Sequence, residues 1–492
     1  SPLLSEGFDV TLIERDVFPR YHIGESMLPS CRQFMAFIGA EELVKNHGFV
    51  TKPGHALKLR QEKREGYSDF IELDPDNITW NVIRSQFDER LLRHASASGV
   101  KVFEGLNVTD IKFSGERPAS AIYETQSTQA SKPREINFKY LVDASGRTGI
   151  MSTKYLKNRQ FTKALMNMAF WGYWRGGGKY APGTNRDNAP WFEAFTDETG
   201  WAWYIPLHDG TTSVGVVISK DSYAEKKALA NNGLDDPMTR LYMAQLAQAP
   251  ELLQLLGKAR LASGIKSAGD YSYSASRYAG PGYRIAGDAG AFIDPLFSTG
   301  VHLAMIGGLS AASTIAASIR GDCSEEKATE FHNSKVGVSY TRFLIVVLSV
   351  YRQIQAQKED ILSDVDEDNF DRAFRLLRPV IQGAADIDPK LTPQEIKETL
   401  DFCKNVMAPT QPQMDKEVTE HMRKLTSSDG PVLHPSTVPA IIGDDKDAKH
   451  VDLEDNARKV IHVMHGLGCF RNEILHGYYA NIVRGELGMR VA

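Results

Sequence analysis

The stretch YRIAGDAGAFIDP, residues 283–295, constrains this chain more than any other. An apolar strand runs into a Gly-Asp turn at Gly287-Asp288, and a helix rich in small residues, VHLAMIGGLSAASTIAASIRG (301–321), follows a few residues later. Small residues let such a helix pack tightly on a sheet, and its Ser, Thr and His content argues against a membrane span. The turn can hold the Asp288 carboxylate on a polyol hydroxyl, while the amides and dipole of the helix start face a partly negative ligand edge. Between turn and helix lies Ser298-Thr299-Gly300, small residues able to bring two backbone N–H groups together at the helix N-terminus. A helix N-cap alone explains that tripeptide; a small-anion pocket would be an additional role.

The opening of the chain points to the same class of fold. SPLLSEG followed by FDVTLIERD reads as a helix tail, a Gly turn and an alternating strand that ends at Glu14, placed to accept from ribose hydroxyls. In a dinucleotide-binding unit the strand and G-x-G-x-x-G turn lie about 20–30 residues upstream of such an acid. The reading is therefore that the given sequence starts inside such a unit. FPRYHIGESMLPS (18–30) is a loop punctuated by Pro19, Gly24 and Pro29, and a helical pattern follows it. HALKLRQ and YSDFIEL alternate as paired strands around the polar EKREG. IRSQFDERLLRHASASGV is an amphipathic helix with Phe87, Leu91 and Leu92 on one face, and INFKYLVDASGRTG (136–149) is an apolar-ended strand running into a Gly turn. From about 160 to 220 the pattern is β-like, with five of the six tryptophans: Trp171, Trp174, Trp191, Trp201 and Trp203.

The bulk numbers exclude several classes. With 492 residues, two or three domains are expected. The net charge of −5 and the lack of a basic stripe leave no nucleic-acid surface. Cys31, Cys323, Cys403 and Cys469 lie far apart with no C-x-x-C, which suits a reducing, cytoplasmic setting. FLIVVLSVY (343–351), nine residues, is too short to span a membrane and reads as a buried helix segment. DVDEDN (364–369) opens like an EF-hand but has Asn369 where Gly is needed and Arg375 where Glu is needed. His462, His465 and Cys469 share a helical side without a fourth ligand, so no metal is assigned.

Taken together, RYHIGES, GDAGAFIDPLFSTG and the W-x-W-x-I-P segment WAWYIP are similar to the flavin-dependent halogenases, in particular to the fungal enzymes that act on free phenolic polyketides. The resemblance covers most of residues 1–330 and is weaker beyond. It implies an α/β FAD-binding domain of the glutathione-reductase-like Rossmann type over 1–330, with an inserted antiparallel β-sheet at about 48–82 and 155–270, and a helical C-terminal region over 331–492. It also implies a mechanism: reduced FAD reacts with O2 to a C4a-hydroperoxide, chloride attacks it, and hypochlorous acid forms. On that reading Glu14, Arg20, Glu25, Ser26, Arg84, Asp288 and Val301 bind the cofactor, and Ser298, Thr299 and Gly300 hold chloride. Trp201, Trp203, Ile205 and Pro206 form a wall between flavin and substrate; by periodicity alone the tryptophans are simply core. Lys52, in FVTKPGHA with the family's F-x-x-K-x-G-x-A pattern, would hold and aim the hypochlorous acid, whereas Lys58 falls outside the pattern. Tryptophan halogenases carry a glutamate just before S-T-G. Phe297 stands there, which favours a phenol, whose own oxygen activates the ring; no base for that phenol is identifiable. No second G-x-G-x-x-G offers a nicotinamide site, so reduced flavin would come from a separate flavin reductase. The competing readings are a flavin monooxygenase that hydroxylates its substrate and a non-catalytic homologue.

Overall fold

The computed structural model describes residues 1–72, 75–126, 132–230, 236–269, 272–358, 381–382 and 473–492. A one-turn helix, α1 (Pro2–Ser5), leads through Gly7, at φ +83°, into β1 (Thr11–Ile13). After the loop come α2 (Ser30–Phe37) and α3 (Glu41–Lys45). β2 (Val50–Lys52) and β3 (Gly54–Lys58) are separated by Pro53 alone, which cannot donate to a ladder and so marks the change of sheet. β4 (Gly66–Asp69) and β5 (Thr79–Asn81) precede α4 (Arg84–Ala97), which buries Phe87 and Leu92. Then come β6 (Lys101–Phe103), a meander of β7 (Leu106–Ser114), β8 (Arg117–Thr125) and β9 (Arg134–Asn137), and β10 (Leu141–Asp143). The tryptophan-rich segment forms β11 (Arg159–Phe161), β12 (Asn167–Arg175), β13 (Trp191–Ala194), β14 (Gly200–Pro206) and β15 (Thr211–Ser219). Three helices follow, α5 (Lys220–Ala230), α6 (Pro237–Leu246) and α7 (Pro250–Leu256), then β16 (Arg260–Leu261), β17 (Lys266–Gly269), β18 (Tyr273–Ala275), β19 (Ala279–Gly280) and β20 (Tyr283–Ile285). The long helices α8 (Gly300–Arg320) and α9 (Glu325–Gln355) and a hairpin of β21 (Tyr478–Asn481) and β22 (Gly488–Val491) complete the described chain.

Three of the sheets matter for placing the site. The parallel pairs β1–β6 and β10–β20 are the dinucleotide-fold part, and each of β1 and β10 pairs on one side only among the described residues. The largest sheet runs β16-β12-β15-β14-β13-β3-β4, with β17 also on β12. Its parallel pairing of β3 to β13 sets the segment just after Lys52 beside the tryptophan strands. Two expectations change. Residues 136–149 are not one strand: β9 closes the antiparallel meander, Phe138 donates to Ala119, and the chain crosses to the parallel sheet, where the Leu141 amide donates to Gly282. Residues 478–491, read as part of a helical region, form an antiparallel hairpin, because their apolar Ala480, Ile482, Leu487 and Met489 are needed to cover α8.

α8 shows why that helix is built of small residues. A Cβ on Gly307 would stand 3.2 Å from the Ala286 Cα, so the helix lies against the backbone of the Gly-Asp turn. Its length and mean hydropathy of 1.4 reach those of a membrane span, yet 72% of that window is buried by the sheet, α9 and the hairpin. It is a core helix. Glu6 accepts from the Gly485 and Leu487 amides and pairs with Arg320 at 2.8 Å, fastening the hairpin to α1 and α8.

Candidate functional site

Lys52 ends β2, where it stands opposite Thr79 of β5, and its side chain turns into the core. It is 0% exposed. Nζ donates to the Met27 carbonyl at 3.0 Å and lies 4.9 Å from the centre of the Phe70 ring. Burial pushes its pKa down to about 7, with nearby Cys31 acting weakly against the shift. Around neutrality the amine therefore carries a usable lone pair. Lys58 differs: it is ion-paired to Glu251 at 2.7 Å and donates to the Lys63 carbonyl, an anchor between hairpin and α7.

The Ser298-Thr299-Gly300 loop is shaped from both sides. Asp294 caps the 3-10 turn Pro295–Phe297 by accepting from the Leu296 amide, and Ser298 takes a left-handed conformation at φ +58°. The Ser298 N–H donates back to Pro295 at 2.8 Å, so the amides pointing outward belong to Thr299, Gly300 and the rest of the first turn of α8. The Thr299 Oγ1 is buried without a hydrogen-bond partner, and a Cβ on Gly300 would meet nothing within 4 Å. An open space in front of a 21-residue helix N-terminus suits a monovalent anion.

β14 alternates between two interiors. Trp201, Trp203 and Ile205 face the cluster that contains Phe192 and Phe297, while Ala202 and Tyr204 face the opposite cluster. Pro206, at the strand end, is partly exposed. The indoles of Trp201 and Trp203 lie 5.9 Å apart, with Trp171 6.3 Å beyond. Gly215 of β15 makes room for them, since a Cβ there would sit 2.2 Å from the Trp203 ring. The Trp201 indole N–H donates to the Tyr351 hydroxyl at 2.8 Å, which in turn donates to Asp294 at 2.7 Å; Asn167 adds a third bond at 3.0 Å. β14, α9 and the Thr299 loop are thus one hydrogen-bonded unit. Burial pushes Asp294 up to about 6, against the pull of those donors.

The loop before α2 gathers most of the cofactor candidates. Arg84, at the start of α4, donates to the Ile23 and Gly24 carbonyls at 3.0 and 3.1 Å and binds Asp88, which also takes Arg20 at 2.8 Å. Glu25 accepts from Tyr173 at 2.6 Å, and burial pushes it up to about 7. Burial also lifts Asp288 to about 6, while Arg84, Arg147 and Arg159 draw it down; Arg84, Glu25 and Asp288 therefore share one electrostatic neighbourhood. Val301, in the first turn of α8, is partly buried. Glu14 is engaged by its own turn, accepting from the Asp16 amide at 2.9 Å. Glu25 Oε2, Ser26 Oγ and Thr299 Oγ1 are buried atoms lacking partners, and such atoms call for a polar ligand. The residues fit a flavin dinucleotide.

The structure also adds residues that the sequence did not single out. Tyr351 lay unassigned in the apolar run 343–351, Asp294 inside the quoted Gly-Asp segment, and Arg159 in no motif at all. No group of three or more metal-ligating side chains occurs among the described residues. His462, His465, Cys469 and the 364–369 segment lie outside them.

Known proteins resemble this chain in sequence and fold. A family model described as tryptophan halogenase matches residues 69–369. Flavin-dependent halogenase armH1 of Armillaria mellea is 57% identical over 99% of this chain and 94% of its own length. Flavin-dependent halogenase ascD of Acremonium egyptiacum is 46% identical over all of this chain and 89% of its own. Among solved structures, flavin-dependent brominase Bmp2 superposes with a TM-score of 0.65 at 26% identity, covering 82% of this chain and 92% of that one. The myxobacterial chondrochloren halogenase CndH gives 0.64 at 26%, over 83% and 94%. The chain belongs to the flavin-dependent halogenases, FAD-using oxidoreductases of secondary metabolism.

Proposed function

We propose that this enzyme chlorinates an electron-rich phenolic ring, a free polyketide of secondary metabolism, using FAD reduced by a separate flavin reductase. One observation carries the reading: the buried Lys52 amine donates to the carbonyl of Met27, whose side chain belongs to the same hydrophobic cluster as Phe297, the uncharged residue preceding Ser298-Thr299-Gly300. When bound, reduced FAD and O2 supply the oxidising equivalent that converts chloride to hypochlorous acid. Arg20, Arg84, Glu25, Ser26, Asp288 and Val301 would hold that cofactor, with Glu14 on its ribose. The Thr299 and Gly300 amides bind chloride, with Ser298 shaping the turn. Trp201, Trp203, Ile205 and Pro206 keep the organic substrate back and exclude water, so that only the small oxidant reaches it. Lys52 receives hypochlorous acid at Nζ by hydrogen bonding and aims the chlorine at the ring; its uncharged form can accept as well as donate. With Phe297 in place of a carboxylate, the substrate must bring its own electron density, as a phenol does.

The test supplies reduced FAD, O2 and chloride to the holoenzyme with resorcinol- and anthraquinone-type phenols and reads products by mass spectrometry. A chlorine isotope pair is expected from the parent. Lys52→Ala should keep its FAD and lose product at least about 100-fold. A product gaining oxygen instead would make the enzyme a hydroxylase.

A further inference from the structure

Resting on that reading, we infer that His55 is the base that accepts the phenolic proton of the substrate. His55 lies on β3, three residues after Lys52, and is 1% exposed. Its Nε2 is buried and has no hydrogen-bond partner. Three rings surround the imidazole: Phe70 at 5.4 Å, Phe192 at 5.8 Å and Phe297 at 6.1 Å between centres. Each ring ties the histidine to a different part of the site. Phe70 has the Lys52 Nζ 4.9 Å from its ring centre, Phe192 lies 6.0 Å from Trp201, and Phe297 adjoins the Ser298 turn. The orphaned nitrogen therefore stands where lysine, wall and halide loop meet.

The surroundings also set its charge state. Burial first, and then the Lys52 charge, hold its pKa well below the ordinary histidine value, and the three phenylalanines offer no charge to oppose this. In the tautomer that carries its proton on Nδ1, a neutral imidazole offers Nε2 as the acceptor a phenol O–H requires. As the ring carbon ortho or para to the hydroxyl attacks the chlorine of hypochlorous acid, the C–Cl bond forms and the Cl–O bond breaks. The phenolic proton passes to Nε2, and hydroxide departs. That hydroxide removes the ring proton to give water, and His55 returns its proton to the oxygen, restoring the phenol and the base. Atoms and charge balance as phenol plus hypochlorous acid giving chlorophenol plus water.

The experiment compares the parent holoenzyme with His55→Gln, normalised to bound flavin by visible absorbance, on a simple phenol and on a ring-fluorinated analogue already ionised at the assay pH. The expected result is a kcat loss of about 100-fold or more on the neutral phenol and less than about 10-fold on the ionised one. Equal losses on both, or no loss, would overturn the assignment. If His55→Gln does not fold, a series of phenols of graded acidity on the parent decides: kcat nearly independent of acidity is expected, and kcat rising in step with the bulk phenolate fraction refutes it. A parent that chlorinates no phenol although hypochlorous acid can be trapped defeats the phenolic reading itself, a different outcome from the loss of His55 alone.

Discussion

An amine shut off from solvent, with the Met27 carbonyl and the Phe70 ring beside it, is a costly thing to keep charged. Lys52 shows the cost as a proton equilibrium: its folded pKa of about 7 lies below the 10.5 of an open chain. Between those values the unfolded chain binds more protons than the folded one, so stability rises with pH through this window and is lowest below 7. Lys52→Met removes the effect. The variant should gain on the parent as pH is lowered from 10 to 7, by up to on the order of 5 kcal/mol, and the difference should level off below 7. Urea unfolding at several pH values measures it; parallel curves would contradict a buried free amine. Lys52 was legible in the sequence only through its motif, because Lys52 and Lys58 are both buried and only the fold pairs Lys58 with Glu251 while it sets Lys52 against a carbonyl and a ring. His55 was not legible at all. An unpartnered ring nitrogen is a property of three neighbours, from residues 70, 192 and 297, that only the fold assembles.

At the scale of elements, β14 owes its place to what its neighbours omit. Gly215 has no side chain opposite Trp203, and an added methyl would fall within the indole. Gly215→Ala should cost about 1–3 kcal/mol through overpacking, read as a lowered Tm. Tyr351→Phe should cost a similar amount for another reason, leaving the Trp201 N–H and Asp294 each short of a buried hydrogen bond. The strand periodicity of WAWYIP announced which residues share a face. Its unbroken apolar run fits burial on both faces, but does not show which partners cover each face. The helices α5–α7 inside the expected inserted sheet were missed although KDSYAEKKALA, PMTRLYMAQL and PELLQLL are rich in good helix formers, whereas the split of residues 136–149 into two strands was decided by its partners.

Over the whole molecule, the parallel strands and their Gly-Asp turn were readable because their chemistry is local. The far end of the chain was not. Its hairpin is fixed by a buried carboxylate, Glu473, which binds Arg342 at 3.0 Å and Lys335. Glu473→Gln should destabilise the chain by weakening its bonds to Arg342 and Lys335, and limited proteolysis should then release the hairpin before the core unfolds. The Trp201–Tyr351–Asp294 bonds have a further consequence for how such an enzyme can change. Three positions separated by more than fifty residues in sequence act as one letter of the alphabet, so a substitution at any of them changes which substitutions the other two will tolerate. A library that varies them singly will find dead ends where one that varies them jointly finds paths.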